Sequence, residues 1–265
     1  MPEGDTVLIT SRRLHAALAD RQVTRFDLRV PALALADLTG STVREVVARG
    51  KHILIRFDTG QTLHSHLRMD GSWRVGAAGS RPRGRDFEIR ALVGNSQWLA
   101  AGFRLHDLAL VASTDEDGLV GHLGPDLLAP DFDKAAALRR FADQPGREIG
   151  QALLDQRLVA GIGNVYKCEL LFLHRLNPWA PVSEVSDLSG LLDDAVRLLR
   201  GNLGDYSRST TGWRQAGQQF WVYGRTGKAC RICGTAIRRD EGQPSGQLAP
   251  DERITFFCPR CQQVE

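Results

Sequence analysis

Residues 154–164 read LDQRLVAGIGN, and this stretch decides how the second half of the chain folds. It joins two segments whose apolar residues recur with helical spacing. Gly161 and Gly163 let the backbone approach a phosphate closely, and Asn164 is placed to cap the next helix, where free N–H groups favour an anion. A Gly-x-Gly loop alone is more often only a tight turn, so both interpretations stay open at this point.

Helical patterns continue on both sides of this loop. Residues 134–142 and 148–156 predict two short helices before it. After it, an amphipathic stripe predicts a longer helix, and the stripe consists of Leu188, Leu191, Leu192, Ala195 and Leu199. Two Pro-Asp turns around Pro125 and Pro130 interrupt the pattern upstream, and we place a linker there.

The first half of the chain has a pattern typical of strands. Short apolar or alternating runs cover residues 26–30, 53–57, 62–67, 87–91, 98–105 and 108–111. Gly/Asp/Ser clusters separate these runs, and many short strands at this spacing predict a β-sandwich or a barrel. Val7, Leu14 and Leu18 have helical spacing and predict a helix that precedes the strands.

The bulk composition is that of a globular protein. The chain has 265 residues, enough for two modest domains, with 42% hydrophobic and 25% charged residues. No apolar stretch approaches the ~20 residues of a membrane span. The first residues do not show a basic segment followed by an apolar one, so we expect an intracellular protein without a signal peptide.

The charge distribution is more informative than the net charge of +3. Residues 44–90 contain ten Lys/Arg and five Asp/Glu, and residues 201–265 contain nine and six. Basic surface attracts nucleic acid because phosphate neutralisation drives sequence-independent affinity. A solvated arginine-rich face is the alternative, and charge alone does not separate the two.

Four of the five cysteines form two CxxC pairs, Cys230/Cys233 and Cys258/Cys261, with 24 residues between the pairs. Each CxxC turn can offer two sulfurs to one side of a tetrahedral zinc ion. A pair of disulfides is the alternative, which an intracellular setting disfavours. Because four thiolates leave no open coordination position, we predict one structural zinc. Cys168 stands in an apolar helical context and is predicted to be a packed core thiol.

The chain begins Met1-Pro2-Glu3. If Met1 is removed, Pro2 presents a secondary amine, and an α-amino group titrates near ~8, so part of it is neutral and nucleophilic at physiological pH. Such an amine can attack a sugar carbon and form an iminium. A helix that begins just after Pro2 would lower the pKa of the amine further. Met-Pro by chance is the alternative.

These pieces together resemble the formamidopyrimidine-DNA glycosylase and endonuclease VIII family. The matching stretches run through nearly the whole chain, and they are MPEGDT at 1–6, RGKH at 49–52, SHLRMDGSWRV at 65–75, HLGPDLL at 122–128, LLDQRLVAGIGNVYKCELLF at 153–172 and TFFCPRCQ at 255–262.

The resemblance implies an α+β fold in three parts. It implies an N-terminal catalytic β-sandwich at 1–125, a linker at 126–145, a helix–two-turn–helix DNA-binding domain at 146–220 and a four-cysteine zinc finger with a β-hairpin at 221–265. The implied protein is a cytoplasmic bacterial monomer, associated with the nucleoid when bound to DNA, whose partner is damaged DNA, double- or single-stranded, and not a membrane.

The resemblance also implies roles for single residues. Pro2 matches the nucleophile at the sugar C1′, and Glu3 matches the acid that assists base loss. Lys51 and Arg253 match catalytic residues that contact phosphate during strand cleavage. The implied DNA-binding residues are Met69 in the loop that fills the gap left by a flipped nucleotide, His122 and Asn164. The implied zinc ligands are Cys230, Cys233, Cys258 and Cys261.

The activity implied is a bifunctional DNA glycosylase/AP lyase of base excision repair that cleaves the strand by β,δ-elimination. The branch specific for 8-oxoguanine usually carries Pro-Arg-Arg-Phe-Gly after the last sandwich strands, whereas residues 101–107 here read AGFRLHD. This departure favours oxidised pyrimidines. The alternatives are an 8-oxoguanine/formamidopyrimidine glycosylase on the same scaffold, a non-catalytic binder of damaged DNA, and an N-terminal-proline tautomerase. Thr6, Asp70 and Glu252 also depart from the family pattern.

Overall fold

The computed structural model describes residues 2–204, 207–240 and 254–264. The chain divides into two compact units, Met1–His122 and Leu123–Glu265. The helices are α1 (Gly4–Leu18), α2 (Asp117–Val120), α3 (Lys134–Ala142), α4 (Ile149–Leu154), α5 (Asn164–Leu173) and α6 (Leu188–Gly201). None of the helices in these residues combines the length and apolar character needed to cross a membrane.

Within the residues that the structure describes, nine strands build the first unit and two more lie near the C-terminus. They are β1 (Arg21–Gln22), β2 (Arg25–Leu28), β3 (Thr42–Arg49), β4 (His52–Phe57), β5 (Gln61–His66), β6 (Ser72–Ala77), β7 (Ile89–Gly94), β8 (Trp98–Phe103), β9 (Asp107–Ala112), β10 (Arg238–Asp240) and β11 (Thr255–Phe257).

The predicted β-sandwich is confirmed in the first unit. One sheet has the order β1-β3-β4-β5-β9 and the other β2-β7-β8-β6, with antiparallel pairing throughout. Apolar side chains from the inner faces of both sheets and from α1 form one core. Trp73 joins the two sheets, because its indole N–H donates to Ser65 Oγ at 3.0 Å. An indole buried this deeply needs such a partner.

Helix α1 starts at Gly4, close to the prediction, and buries Val7, Leu14 and Leu18. The alternation pattern missed β3 and β6, for two physical reasons. A bulge between Val43 and Glu45 shifts the register of β3, so its buried residues are not two positions apart. Strand β6 buries only Trp73 and therefore carries almost no alternation signal.

The second unit has its own core around α5. This helix is buried on nearly all sides, whereas α6 buries one stripe that includes Leu191, Leu192 and Ala195, as predicted. Residues 126–145, where we placed a linker, also contribute to this core, since Leu127 and Phe141 are fully buried. The functional division of the chain into domains stays a prediction.

The C-terminal cysteines form a third small cluster with apolar residues. Strands β10 and β11 pair antiparallel, with Arg239 opposite Phe256, so the predicted hairpin strand is confirmed. Cys168 is 1% exposed, and its Sγ accepts from the Phe256 N–H at 3.4 Å, which confirms a packed core thiol. This contact ties the hairpin to α5.

Candidate functional site

Three turns meet at one end of the sandwich. His52 at the start of β4 pairs with His66 at the end of β5, and His66 pairs with Asp107 at the start of β9. The β3–β4 turn that carries Lys51, the β5–β6 turn that carries Met69 and the β8–β9 turn therefore lie side by side. Gly50 in the first turn has φ +57°, a conformation that a side chain disfavours.

Four histidines gather beside Lys51. His52 Nδ1 and His64 Nε2 are 2.7 Å apart and share a hydrogen bond. The His52 ring lies 4.9 Å from the His66 ring and 6.1 Å from the His122 ring, measured between centroids. His66 Nδ1 accepts from the Arg68 backbone N–H at 3.1 Å. That bond requires an unprotonated Nδ1. The His66 ring is therefore in its neutral form, with the proton on Nε2.

The environment keeps these rings neutral. Burial, followed by the neighbouring imidazoles and Arg68, lowers the pKa of His52 to about 3. Burial and the charges of Arg68 and Lys51 lower the pKa of His66 to about 4, against the opposing effect of Asp107. Burial lowers the pKa of His64 in the same way. At neutral pH these three rings therefore act as hydrogen-bonding groups, and Lys51 and Arg68 carry the positive charge.

This cluster makes stability depend on pH. The unfolded chain protonates His52 below ~6.5, while the folded chain does so only near about 3. The unfolding free energy should therefore fall as the pH drops below ~6.5, by up to ~1.4 kcal/mol per pH unit for each such ring. His52→Gln should flatten this dependence in urea unfolding between pH 4 and 7. His106→Gln, at an exposed position, is the matched control, and an unchanged slope in His52→Gln would contradict the prediction.

The turn that presents Met69 is braced by its neighbours. Met69 is 53% exposed, and Arg68 before it has φ +50°. Arg68 Nε lies 2.5 Å from Asp107 Oδ2, and Asp70 Oδ1 lies 3.1 Å from His106 Nε2. Gly71 closes the turn, because a Cβ there would come within 2.5 Å of the Leu67 carbonyl oxygen.

This brace explains two departures from the family pattern. Asp70 pairs with Arg104 at 3.7 Å as well as with His106. Arg104, His106 and Asp107 belong to residues 101–107, which stand where the 8-oxoguanine branch usually has Pro-Arg-Arg-Phe-Gly, and they contact the Met69 turn. A carboxylate at position 70 therefore has a positioning role that the sequence alone did not reveal.

Pro2 and Glu3 lie at the start of α1. Glu3 occupies the N-cap position in an extended conformation, and its carbonyl accepts from the Val7 N–H at 3.0 Å. The residue is fully buried, which is rare for glutamate and makes its carboxyl a candidate functional group. Thr6, where many family members have Glu, contacts Asp5 through its backbone N–H at 2.7 Å.

Asn164 belongs to the second unit. It is the first residue of α5, and the N-cap position is Gly163, so the prediction that Asn164 caps the helix was wrong. Its Nδ2 donates to the Ile254 carbonyl at 2.8 Å, while its buried Oδ1 has no donor among the described residues. Arg253 lies outside the described residues, as does Glu252.

The four paired cysteines form one cluster. Their sulfur atoms all lie within 4.8 Å of one another, with Cys230 and Cys261 at 3.9 Å and Cys233 and Cys258 at 3.5 Å. A tetrahedral zinc with ~2.3 Å bonds needs sulfurs ~3.8 Å apart, whereas a disulfide needs ~2.05 Å. The donor set therefore fits a tetrahedral ion, and the alternative of disulfides is wrong.

Sequence reasoning missed Glu169, a fully buried carboxylate on α5. It accepts a hydrogen bond from the Thr210 hydroxyl. It also accepts from the backbone N–H groups of three consecutive residues, Trp221, Val222 and Tyr223, at 2.7–2.9 Å. Burial raises the pKa of Glu169, and these four donors oppose that effect. One signal was present, because a single acid within the buried NVYKCELLF helix needs internal partners.

Comparison with known proteins supports the resemblance. Residues 1–104 match the model of the formamidopyrimidine-DNA glycosylase N-terminal domain, and residues 123–210 match that of the formamidopyrimidine-DNA glycosylase H2TH domain. The chain belongs to the formamidopyrimidine-DNA glycosylase and endonuclease VIII family.

Relatives within this family align from end to end. "Probable endonuclease 8 2" of Streptomyces coelicolor is 50% identical over 99% of this chain and 94% of that protein. "DNA-(apurinic or apyrimidinic site) lyase Nei2" of Mycolicibacterium smegmatis is 42% identical over 99% of each. A solved structure of MutM in complex with DNA containing carbocyclic 8-oxo-G has a TM-score of 0.80 at 25% identity, over 99% of this chain and 100% of that one.

Proposed function

We propose that this protein is a bifunctional DNA glycosylase/AP lyase of base excision repair that removes oxidised pyrimidines. The observation that carries the proposal is the start of the chain, where Pro2 precedes a fully buried Glu3 at the N-terminus of α1. Membership of a family whose relatives are named as endonucleases and lyases supports it. We expect a monomer that acts on DNA in the bacterial cytoplasm.

The proposed chemistry starts at the amine of Pro2, once Met1 has been removed. The amine nitrogen attacks the sugar C1′, and the bond between C1′ and the base breaks. The amine gives up its N–H proton and Glu3 supplies one more, and these two protons go to the departing base and to the ring oxygen O4′, so that the sugar is left as a ring-opened iminium. Loss of a proton from C2′ then expels the 3′ phosphate, and a second elimination expels the 5′ phosphate. Water finally adds to the iminium carbon, and release of the unsaturated sugar aldehyde frees the amine of Pro2.

The polar end of the sandwich suits this reaction. Lys51 and Arg68 provide positive charge for the phosphates next to the lesion. The neighbouring histidines are neutral and do not compete with them for these phosphates. Met69 is an exposed, flexible apolar side chain that can fill the gap left by an extruded nucleotide. Asn164 and Arg253 are proposed to hold phosphate from the second unit, and His122 from the first.

The substrate preference is the finer part of the proposal. Arg104 and His106 contact Asp70 in this structure, so they support the Met69 turn. With no Pro-Arg-Arg-Phe-Gly segment, Met69 is the one clear candidate for contact with the orphaned base among the described residues. Both observations support an enzyme for oxidised pyrimidines with weak selectivity for the opposite base.

Excision rates on defined oligonucleotides test this preference. Thymine glycol and 5-hydroxyuracil should be released faster than 8-oxoguanine paired with cytosine, and activity on single strands should be substantial. The rate for 5-hydroxyuracil should change little when the opposite base is changed. Faster release of 8-oxoguanine would place the protein in the other branch. A strong dependence on one opposite base would show that a residue not identified here contacts the base opposite the lesion.

We also propose that the cysteine cluster holds one structural zinc. The four sulfurs are spaced for a tetrahedral ion, and a set of four thiolates leaves no position for substrate. Bound there, the ion would fix the β10–β11 hairpin and thus the segment that leads to Arg253. It would take no part in the chemistry.

Metal analysis of the purified protein should give one zinc per chain. Cys261→Ser should lose the metal and weaken DNA binding. The unfolding temperature of the sandwich should change little, because the cysteines belong to a separate core. Cys168→Ser changes a cysteine of the same core that is not one of the four grouped sulfurs, and this variant should keep the zinc. Zinc-free wild-type protein with normal DNA affinity would exclude this role.

A further inference from the structure

Residues 207–219 form a closed loop in the second unit. Asn202 anchors its start, since Asn202 Oδ1 accepts from the Ser209 N–H at 2.8 Å and Asn202 Nδ2 donates to the Ser209 carbonyl at 2.9 Å. The Thr210 N–H donates to the Gln219 carbonyl at 2.8 Å and closes the loop. Gly212 and Gly217 turn the chain with φ +83° and +77°. These hydrogen bonds and turns give the loop a defined shape.

This loop presents an aromatic side chain to solvent. Trp213 is 47% exposed, although tryptophan is usually well buried. The Arg231 guanidinium carbon lies 5.4 Å from the Trp213 ring centroid, and the Trp221 ring centroid is 6.2 Å away. Trp213 therefore contacts a cation and a second aromatic ring, and about half of its surface is exposed to solvent.

The supports of Trp213 are themselves fixed. Arg231 Nε donates to the Phe220 carbonyl at 3.2 Å, and Arg231 Nη2 donates to the Gly217 carbonyl at 2.8 Å. The Trp221 backbone N–H donates to the buried Glu169 carboxylate at 2.7 Å. Since the surroundings of the ring are ordered before a ligand arrives, little conformational entropy remains to be lost on binding.

The charge around this platform indicates its ligand. Residues 207–240 contain seven Lys/Arg and one Asp. A half-exposed indole with Arg231 beside it, in a segment rich in Lys and Arg, matches a nucleotide, whose base stacks on the ring while its phosphate meets the positive charge. Paired bases in a duplex hide their faces from such a ring, whereas an unpaired base offers one.

We propose that Trp213, supported by Arg231 and Trp221, is a stacking platform for an unpaired nucleobase of the DNA substrate. The platform rests on the proposed function in that DNA is taken as the partner. The base is either the extruded lesion or an undamaged base of a single-stranded region, and both present the same chemistry to the ring. In either case Trp213 contributes to substrate selection.

Equilibrium binding to labelled oligonucleotides tests the platform. Trp213→Ala should bind an undamaged single-stranded 12-mer, or a duplex with one thymine glycol, about 5- to 150-fold more weakly than wild type, the range that corresponds to ~1–3 kcal/mol per stacked base. Trp213→Phe should recover most of this loss because it keeps an aromatic face. Trp98→Ala removes another partly exposed tryptophan, 38% exposed and in the first unit, and should bind like wild type.

Two further oligonucleotides identify the base. If the loss appears with thymine glycol but not with tetrahydrofuran, which has no base, Trp213 stacks on the lesion. If it appears on the single strand and equally with tetrahydrofuran, Trp213 stacks on an undamaged neighbour. Equal affinity of wild type and Trp213→Ala for all oligonucleotides would overturn the proposal, and so would an equal loss on a fully paired duplex.

The platform and the proposed function can fail separately. If the wild-type enzyme neither excises a base nor forms a trapped imine, the proposed function is wrong. A Trp213-dependent affinity for single strands would still stand in that case. Conversely, normal excision by the wild type together with unchanged DNA binding by Trp213→Ala would overturn the proposed stacking platform and leave the proposed function intact.

Discussion

Borohydride should trap this protein on DNA that contains an abasic site, and the trapped complex should disappear when Met1 is retained. Reduction converts the iminium between Pro2 and the sugar into a stable amine, so the complex survives denaturing electrophoresis. With Met1 present the Pro2 nitrogen is an amide, which has no basic lone pair and cannot form an iminium. The expected effect is complete loss of the trapped band.

A variant with Pro2→Gly keeps a free α-amine after Met1 removal and serves as the matched control. It should trap more weakly than wild type but more strongly than the form that retains Met1, since a primary amine still forms an imine. Mass spectrometry of the trapped peptide should place the sugar on residue 2. Equal trapping with and without Met1 would show that another amine, such as Lys51, is the nucleophile.

Glu3→Gln should lose base excision by ~10²–10⁴-fold while keeping much of its lyase activity on a pre-formed abasic site. Base departure needs a proton that glutamine cannot deliver, whereas elimination from an existing abasic site does not need that step. The fully buried position of Glu3 is consistent with a carboxyl held for proton transfer. Single-turnover rates on thymine glycol and abasic duplexes separate the two activities.

Asp5→Asn is the matched control for Glu3→Gln. Asp5 is also buried in the first turn of α1, and its Oδ1 accepts from the Thr6 N–H, a bond that the asparagine carbonyl can still accept. We expect its excision rate to stay near that of wild type. If both variants lose excision to the same extent, the local charge of the helix start matters and Glu3 is not the specific acid.

The parts of the fold that sequence predicted are those with a local signal. The stripe along α6 and the start of α1 repeat with helical spacing, and the four paired cysteines mark their own cluster by spacing alone. Strand β3 was hidden because its bulge breaks the alternation of Val43 and Val46. Local periodicity carries no information about such a shift.

The candidate site was less predictable because its contacts are distant in the chain. His52, His64 and His122 form a cluster only after β4 pairs with β5 and the chain returns beyond β9. Asp70 finds Arg104 and His106 more than thirty positions away. Glu169 finds its donors more than forty positions away, in a segment without periodicity. Motifs identified these regions but not the partners within them.

The braced Met69 turn has a consequence for how the protein would search a genome. A wedge that already has its working shape can probe each base pair during sliding without a loop-ordering step, so the dwell time per pair stays short. The brace itself consists of exposed ion pairs such as Arg68–Asp107, which salt weakens. Rising ionic strength should therefore shorten each sliding run, because phosphate contacts are lost. It should also make the Met69 turn, which probes the stacked base pairs, less rigid.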